Sequence, residues 1–243
     1  MFVRRLRVAK DAGWTEHENL AIAQHIVLGH IPSLSGQLKH VKTLAIDQRL
    51  TQDKRTAVLE LLARENEMPN LTDLDVQCAV PRANTDLFAK ALQNTPLLTV
   101  LRVRVLSHVT NAFCESLGRL TLSHLSIGLV SADEDSDDSR KLWFSIRHQV
   151  LESLVSLELL NARAAPCFLV FAEEGIVARN LRVLCLDQIL VSSEQAAENL
   201  SKSLEYMPNL QKLTVRLRFR AVVSSFAAYF QGPFRPLVSF RLH

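Results

Sequence analysis

Residues 68–76 read MPNLTDLDV, and residues 207–215 read MPNLQKLTV. The two stretches share a lead-in, Met-Pro-Asn-Leu. Each continues into a phrase whose first, fourth and sixth places are apolar: Leu71, Leu74 and Val76 in one, Leu210, Leu213 and Val215 in the other. The last two apolar places alternate with polar residues, the period of a strand with one face buried. A phrase that returns along a chain decides the architecture before any local propensity does.

Working outward, the same phrase occurs as FVRRLRV at 2–8, VKTLAI at 41–46, LTVLRV at 98–103, LSHLSI at 122–127, LVSLEL at 154–159, LRVLCL at 181–186 and LVSFRL at 237–242, nine copies in all. The middle apolar residues are Leu6, Leu44, Leu74, Leu101, Leu125, Leu157, Leu184, Leu213 and Phe240, standing 24 to 38 residues apart. The lead-in repeats as well, as TPLL at 95–98 and ARNL at 178–181. Between phrases the apolar spacing becomes helical. Thr51 to Arg64 carries Ala57, Val58, Leu61 and Leu62 on one face, and Glu194 to Tyr206 carries Ala196, Ala197, Leu200 and Leu204. Ser192 with Gln195, and Thr15 with Glu18 ahead of Leu20, Ile22, Ile26 and Val27, have capping-box spacing. One strand-plus-helix unit cannot bury its own apolar face, so neighbours must stack and share a core. The expectation is an α/β fold: parallel strands side by side in one sheet, helices behind them, inward positions taken by the three apolar residues of each phrase. One domain over 1–243 is expected, with residues 1–36 a first strand and helix, 37–243 the remaining repeats, and 131–139 an acidic loop insertion.

These phrases resemble the leucine-rich-repeat superfamily over essentially the whole chain. The helix-rich units are most similar to ribonuclease-inhibitor-like repeats and to the repeat domain of fungal-type F-box proteins. The resemblance implies a horseshoe-shaped solenoid of about nine degenerate repeats, its parallel sheet on the concave face and its helices on the convex face. It also implies protein recognition, in F-box proteins the capture of substrates for an SCF-type ubiquitin ligase. No F-box precedes FVRRLRV, so a ligase reading requires that module to be lost or supplied by another chain. The family's Asn after the strand is also missing, its place taken by Ala79, Leu106, Val130, Ala162 and Ile189.

Composition narrows the function further. A formal charge of +3 and 22% charged residues fall short of a dedicated nucleic-acid binder. RLRFR at 216–220 and RRLR at 4–7 are basic, but both lie in strand phrases, and aromatic residues make up only 6% of the chain; weak nucleic-acid binding is the alternative they raise. The four cysteines, Cys78, Cys114, Cys167 and Cys185, form no CxxC pair, which suits reduced thiols and an intracellular setting, cytoplasmic or nuclear. No apolar run suits a signal peptide or a membrane span. The sequons at Asn70 and Asn199 then read as coincidence.

No catalytic constellation is legible. The 7 glycines form no phosphate loop and no nucleophile elbow. His17-Glu18 lacks the second histidine of a zinc-protease helix, and His25 and His30 are poorly spaced for one helical face. The run Asp133 to Asp138 has calcium-like alternation, but Asp138 stands where the loop needs glycine and Phe144 stands at its twelfth place, so a solvated insertion is expected. Ser131, three residues before Glu134, suits an acid-directed kinase. Neither an enzyme, a cofactor, a metal nor a small-molecule ligand is expected.

Recognition should therefore fall to the outward strand positions, whose side chains neighbour one another in rows about 4.8 Å apart. The expected partner-binding residues are Asp75, Arg102, Arg104, His124, Glu158, Asp187, Lys212, Arg216, Arg218 and Arg241. Asp75 should face Arg102, and Asp187 should face Arg216. Arg104, Lys212, Arg218 and Arg241 should remain unpaired, leaving a weakly basic patch near the C-terminal end that receives an acidic segment of a protein partner. Cys185 lies exposed in the same rows.

Overall fold

A computed structural model describes residues 5–8, 38–129, 141–142, 145–146, 152–161, 177–191, 202–219 and 238–242. Its contacts divide the chain into two compact units, Met1–Leu122 and Ser123–His243. The first unit holds β1 (Arg5–Val8), β2 (Thr43–Ile46), α1 (Gln52–Leu62), β3 (Asp73–Val80), α2 (Thr85–Gln93), β4 (Val100–Leu106) and α3 (Asn111–Gly118). Its strands lie in the order β1-β2-β3-β4, all parallel. The second unit holds β5 (His124–Leu129), β6 (Ser156–Leu160), β7 (Val183–Val191), β8 (Lys212–Phe219) and β9 (Val238–Leu242), again parallel and in chain order. Residues 141–142, 145–146 and 202–205 are helical.

The phrase spacing is reproduced as register. Leu6, Leu44, Leu74 and Leu101 are successive partners across the strands of the first unit, and Leu125, Leu157, Leu184 and Leu213 across those of the second. In the seven phrases whose side chains are described, all three apolar positions are at most 5% exposed, from Val41, Leu44 and Ile46 through Leu210, Leu213 and Val215. The positions between them are half-buried or exposed in all seven, as the alternating burial of β2, β3 and β6 illustrates. One sheet face is therefore covered and the other open, which puts the buried stripes of the helices behind the covered face.

The lead-in forms a turn. Leu71, Leu98 and Leu210 each donate a backbone N–H to the residue three before them, Met68, Thr95 and Met207, at 3.1 to 3.2 Å. Proline occupies the second place of all three turns, where its fixed φ is already correct. The lead-in's first residue points inward: Met68, Thr95, Ala178 and Met207 are buried. Its third residue staples the repeats together. Asn70 Nδ2 donates to Lys39 O at 2.6 Å, Asn180 Nδ2 to Glu152 O at 2.7 Å and Asn209 Nδ2 to Arg179 O at 2.6 Å. The asparagine ladder thus runs before the strands, where the resemblance led one to look after them. At TPLL the third residue is Leu97, 53% exposed, and the staple is absent from that turn.

Other expectations need correction. The helix expected over Thr51 to Arg64 spans Gln52–Leu62, and its buried stripe includes Leu59 while Ala57 is half-buried. Of the apolar residues in the missing-asparagine slot, Leu106 packs inward but Ala79 is exposed, because the period-two alternation of β3 runs on from Val76 so that Cys78 and Val80 are its inward residues, and the register with β4 shifts between Val76 and Ala79. The helices of the first unit are joined by side chains: the rings of Phe88 and Phe113 stack with centroids 5.8 Å apart, Gln93 Nε2 donates to Ser116 Oγ at 3.0 Å, and Asn84 Nδ2 donates to Thr56 Oγ1 at 2.8 Å. Thr110 caps α3 by accepting from Phe113 N at 3.2 Å. The expected capping boxes at Thr15 and Ser192, the acidic run at 131–139, and the histidines 17, 25 and 30 lie outside the described residues. Among the described residues no helix is long and apolar enough to cross a membrane.

Candidate protein-binding face

The open face of the first unit carries Asp73, Asp75, Arg102 and Arg104. Asp75 and Arg102 are Cα partners, as the phrase register requires. The guanidinium nevertheless pairs elsewhere: Arg102 Nη1 donates to Asp73 Oδ1 at 3.0 Å. Asp75 Oδ2 instead accepts from Gln77 Nε2 at 2.8 Å. Residues two apart on a strand share a face, so Asp73 and Asp75 compete for one arginine, and register alone does not choose between them. Arg104 is not unpaired either. Its Nη1 donates to Gln48 Oε1, while the main-chain oxygen of Gln48 accepts from Arg55 Nη2 at 2.5 Å. Gln48 thereby holds two guanidinium groups, and its position in the turn after β2 hid that role from a reading of strand positions.

The second unit carries a linked polar row. Ser126 on β5 donates through Oγ to Glu158 Oε2 on β6 at 2.8 Å, and Cys185 on β7 forms a hydrogen bond with Glu158. Ser126, Glu158, Cys185 and Thr214 are successive Cα partners. One step along the strands, Arg216 Nη1 donates to Asp187 Oδ2 at 2.9 Å, which is the ion pair the register implies. The Asp187 side chain is only 16% exposed, so this pair is better shielded than Arg102–Asp73, whose members are 46% and 28% exposed. Both are surface pairs of modest worth, on the order of 0 to 1 kcal/mol.

Cys185 is half-buried and not fully exposed. Burial pushes its thiol up to about 11, and the charges of Glu158 and Asp187 together with the hydrogen bond to Glu158 act in the same direction, against a weaker opposing effect of Arg216. At neutral pH the group is a protonated thiol and a poor nucleophile. The Cys78 thiol is likewise raised, chiefly by burial, with Arg55 opposing.

The remaining expected residues fall into place by register. His124 opens β5, exposed, with Nδ1 2.9 Å from Ser123 Oγ. Lys212 opens β8, exposed, opposite Val183. Arg218 stands opposite Leu190 and Arg241 opposite Arg216; the side chains of Arg218 and Arg241 lie outside the described residues. The structure thus brings Glu158, Asp187 and Arg216 together with Ser126, Cys185 and Thr214, and gathers Asp75, Arg102 and Arg104 on the first unit. Among the described residues no group of three or more His, Cys, Asp or Glu is arranged to hold a metal ion. No family model matches the chain, and no curated protein matches it.

Proposed function

We propose that the chain is a leucine-rich-repeat solenoid of about nine degenerate units, a horseshoe with its sheet on the concave side, and that it acts as a non-catalytic protein-interaction module whose partner lies on the open face of the strands. The observation that carries this reading is the linked row Ser126, Glu158 and Cys185 beside the Asp187–Arg216 pair. Neighbouring repeats hold these groups in fixed positions, so a partner meets a preorganised set of donors and acceptors with little ordering left to do. The protonated thiol of Cys185 supports recognition over nucleophilic chemistry. Free thiols at Cys78 and Cys185 support a reducing, intracellular setting.

The partner chemistry that fits is a protein surface with an acidic segment, which meets Lys212 and the two arginine positions 218 and 241 while its polar groups exchange bonds with the row. Crosslinking mass spectrometry on the captured complex tests the location, and charge reversal tests the contact. Crosslinks through Lys212, with capture lowered about tenfold or more in Arg216→Glu/Arg218→Glu, are expected. Undiminished capture by that variant, or crosslinks confined to the helices, rejects the open face as the binding surface.

A further inference from the structure

The second unit has a cleft of about 660 Å³ at the edge where its strands begin, lined by Arg179, Asn180, Arg182, Pro208, Asn209 and Gln211 among others. That volume lies within the roughly 300–1,000 Å³ typical of ligand clefts. Its walls are two successive lead-ins, the bend at ARNL and the turn at MPNL, held one repeat apart. Asn209 Nδ2 donates to Arg179 O at 2.6 Å, and the backbone N–H groups of Gln211 and Lys212 both donate to Arg182 O, at 2.8 and 3.0 Å. The cleft is therefore built by the same bonds that stack the repeats and does not depend on a loose loop.

Its charge comes from two departures in one copy of the repeated phrase. The second place of the turn is proline at 69, 96 and 208, but arginine at 179. The second place of the phrase is threonine at 72 and 99, where each hydroxyl donates to a carbonyl one repeat back, but arginine at 182. Arg179 lacks the preset φ that proline gives the three turns, and Arg182 carries a guanidinium where Thr72 and Thr99 carry ladder hydroxyls. Both are exposed, and neither side chain has a hydrogen bond or ion pair among the described residues. The lining contains no carboxylate and no aromatic ring. On the open sheet face, by contrast, Arg102, Arg104 and Arg216 already have partners.

We infer that this cleft binds an extended acidic peptide segment, with the guanidinium groups of Arg179 and Arg182 taking its carboxylates. Guanidinium matches carboxylate in a planar two-bond geometry, and the side-chain amide of Gln211 complements peptide groups. A nucleic acid would offer the same anionic charge, but the lining gives its bases no aromatic platform. The site is distinct from the open face, so the two readings fail separately.

Fluorescence anisotropy with the full chain and a labelled hexaglutamate peptide tests the inference. The variants are Arg179→Glu/Arg182→Glu, both at exposed positions, and Lys39→Glu as a control cation on the first unit. Saturable binding is expected that weakens about tenfold or more in the double reversal and stays within about twofold in Lys39→Glu. Far-UV circular dichroism should match across all three proteins. Absence of hexaglutamate binding by the unmodified chain, equal affinity in the double reversal, or binding of a single-stranded oligonucleotide in preference to the peptide overturns it.

Discussion

Replacing Leu184 by alanine removes the centre of the second unit's inward row. Leu184 is 0% exposed and is flanked in register by Leu157 and Leu213, at 1% and 0%. The lost transfer of three carbons amounts to about 2.4 kcal/mol. A cavity term adds to this, because the flanking leucines are anchored on their own strands and cannot collapse into the gap, so a total of about 3 to 4 kcal/mol is expected. Against an m-value of about 2 kcal/mol per M in urea, that lowers the denaturation midpoint by about 1.5 to 2 M. Thr214→Ala, on the open face and half-buried, should change stability by no more than about 0.5 kcal/mol. The assay is urea titration of both variants and the unmodified chain, followed by far-UV circular dichroism. A cost below about 1 kcal/mol for Leu184→Ala, or a cost equal to that of Thr214→Ala, refutes the assignment of inward and outward positions.

Two further outcomes follow from the side chains. Alkylation of Cys185 by iodoacetamide should be slow at pH 8 and climb only as the pH approaches about 11, and Glu158→Gln should move that rise to lower pH by removing a nearby negative charge. The linked effect on folding has a definite sign: a thiol raised in the folded state contributes stability that is complete below its ordinary value of 9.0 and is lost as the pH rises through about 11. Asn209→Ala removes the staple to Arg179 O and should destabilise the second unit by about 0.5 to 1.5 kcal/mol, with faster amide exchange at Gln211 and Lys212 read by mass spectrometry. Unchanged stability and exchange would mean that the ladder is incidental.

Strand existence, order and register were legible because each rests on one apolar pattern of period two, and a one-residue slip would expose every leucine in a phrase. The same pattern located the open face and the Asp187–Arg216 pair. It did not resolve which of two carboxylates an arginine takes, because Asp73 and Asp75 share one face of their strand within reach of Arg102, and the arginine bonds to Asp73 while Gln77 bonds to Asp75. Nor did it find Gln48, whose role depends on a turn and on the length of two arginine side chains. The asparagine ladder had a visible signal, the Asn shared by MPNL and ARNL. Its meaning depends on the carbonyl of the preceding turn, some thirty residues back, and no local pattern reports that distance. The cleft was hidden for a related reason: Arg179 and Arg182 are separated by two residues within one copy, and only the stacking of the next turn, with Pro208 and Asn209, turns them into two sides of one space.

The most direct test is an engineered crosslink on the open face of the second unit. Cys185 and position 214 are Cα partners on adjacent parallel strands, and a strand separation of about 4.8 Å lies within the ~4.4 to 6.8 Å span of a disulfide. Thr214→Cys should therefore form a disulfide with Cys185 on mild oxidation, identified by peptide mapping, while Lys212→Cys, two residues out of register, should not. Crosslinking of Cys185 through position 212 in preference to 214, or through neither, would contradict the in-register parallel arrangement of β7 and β8.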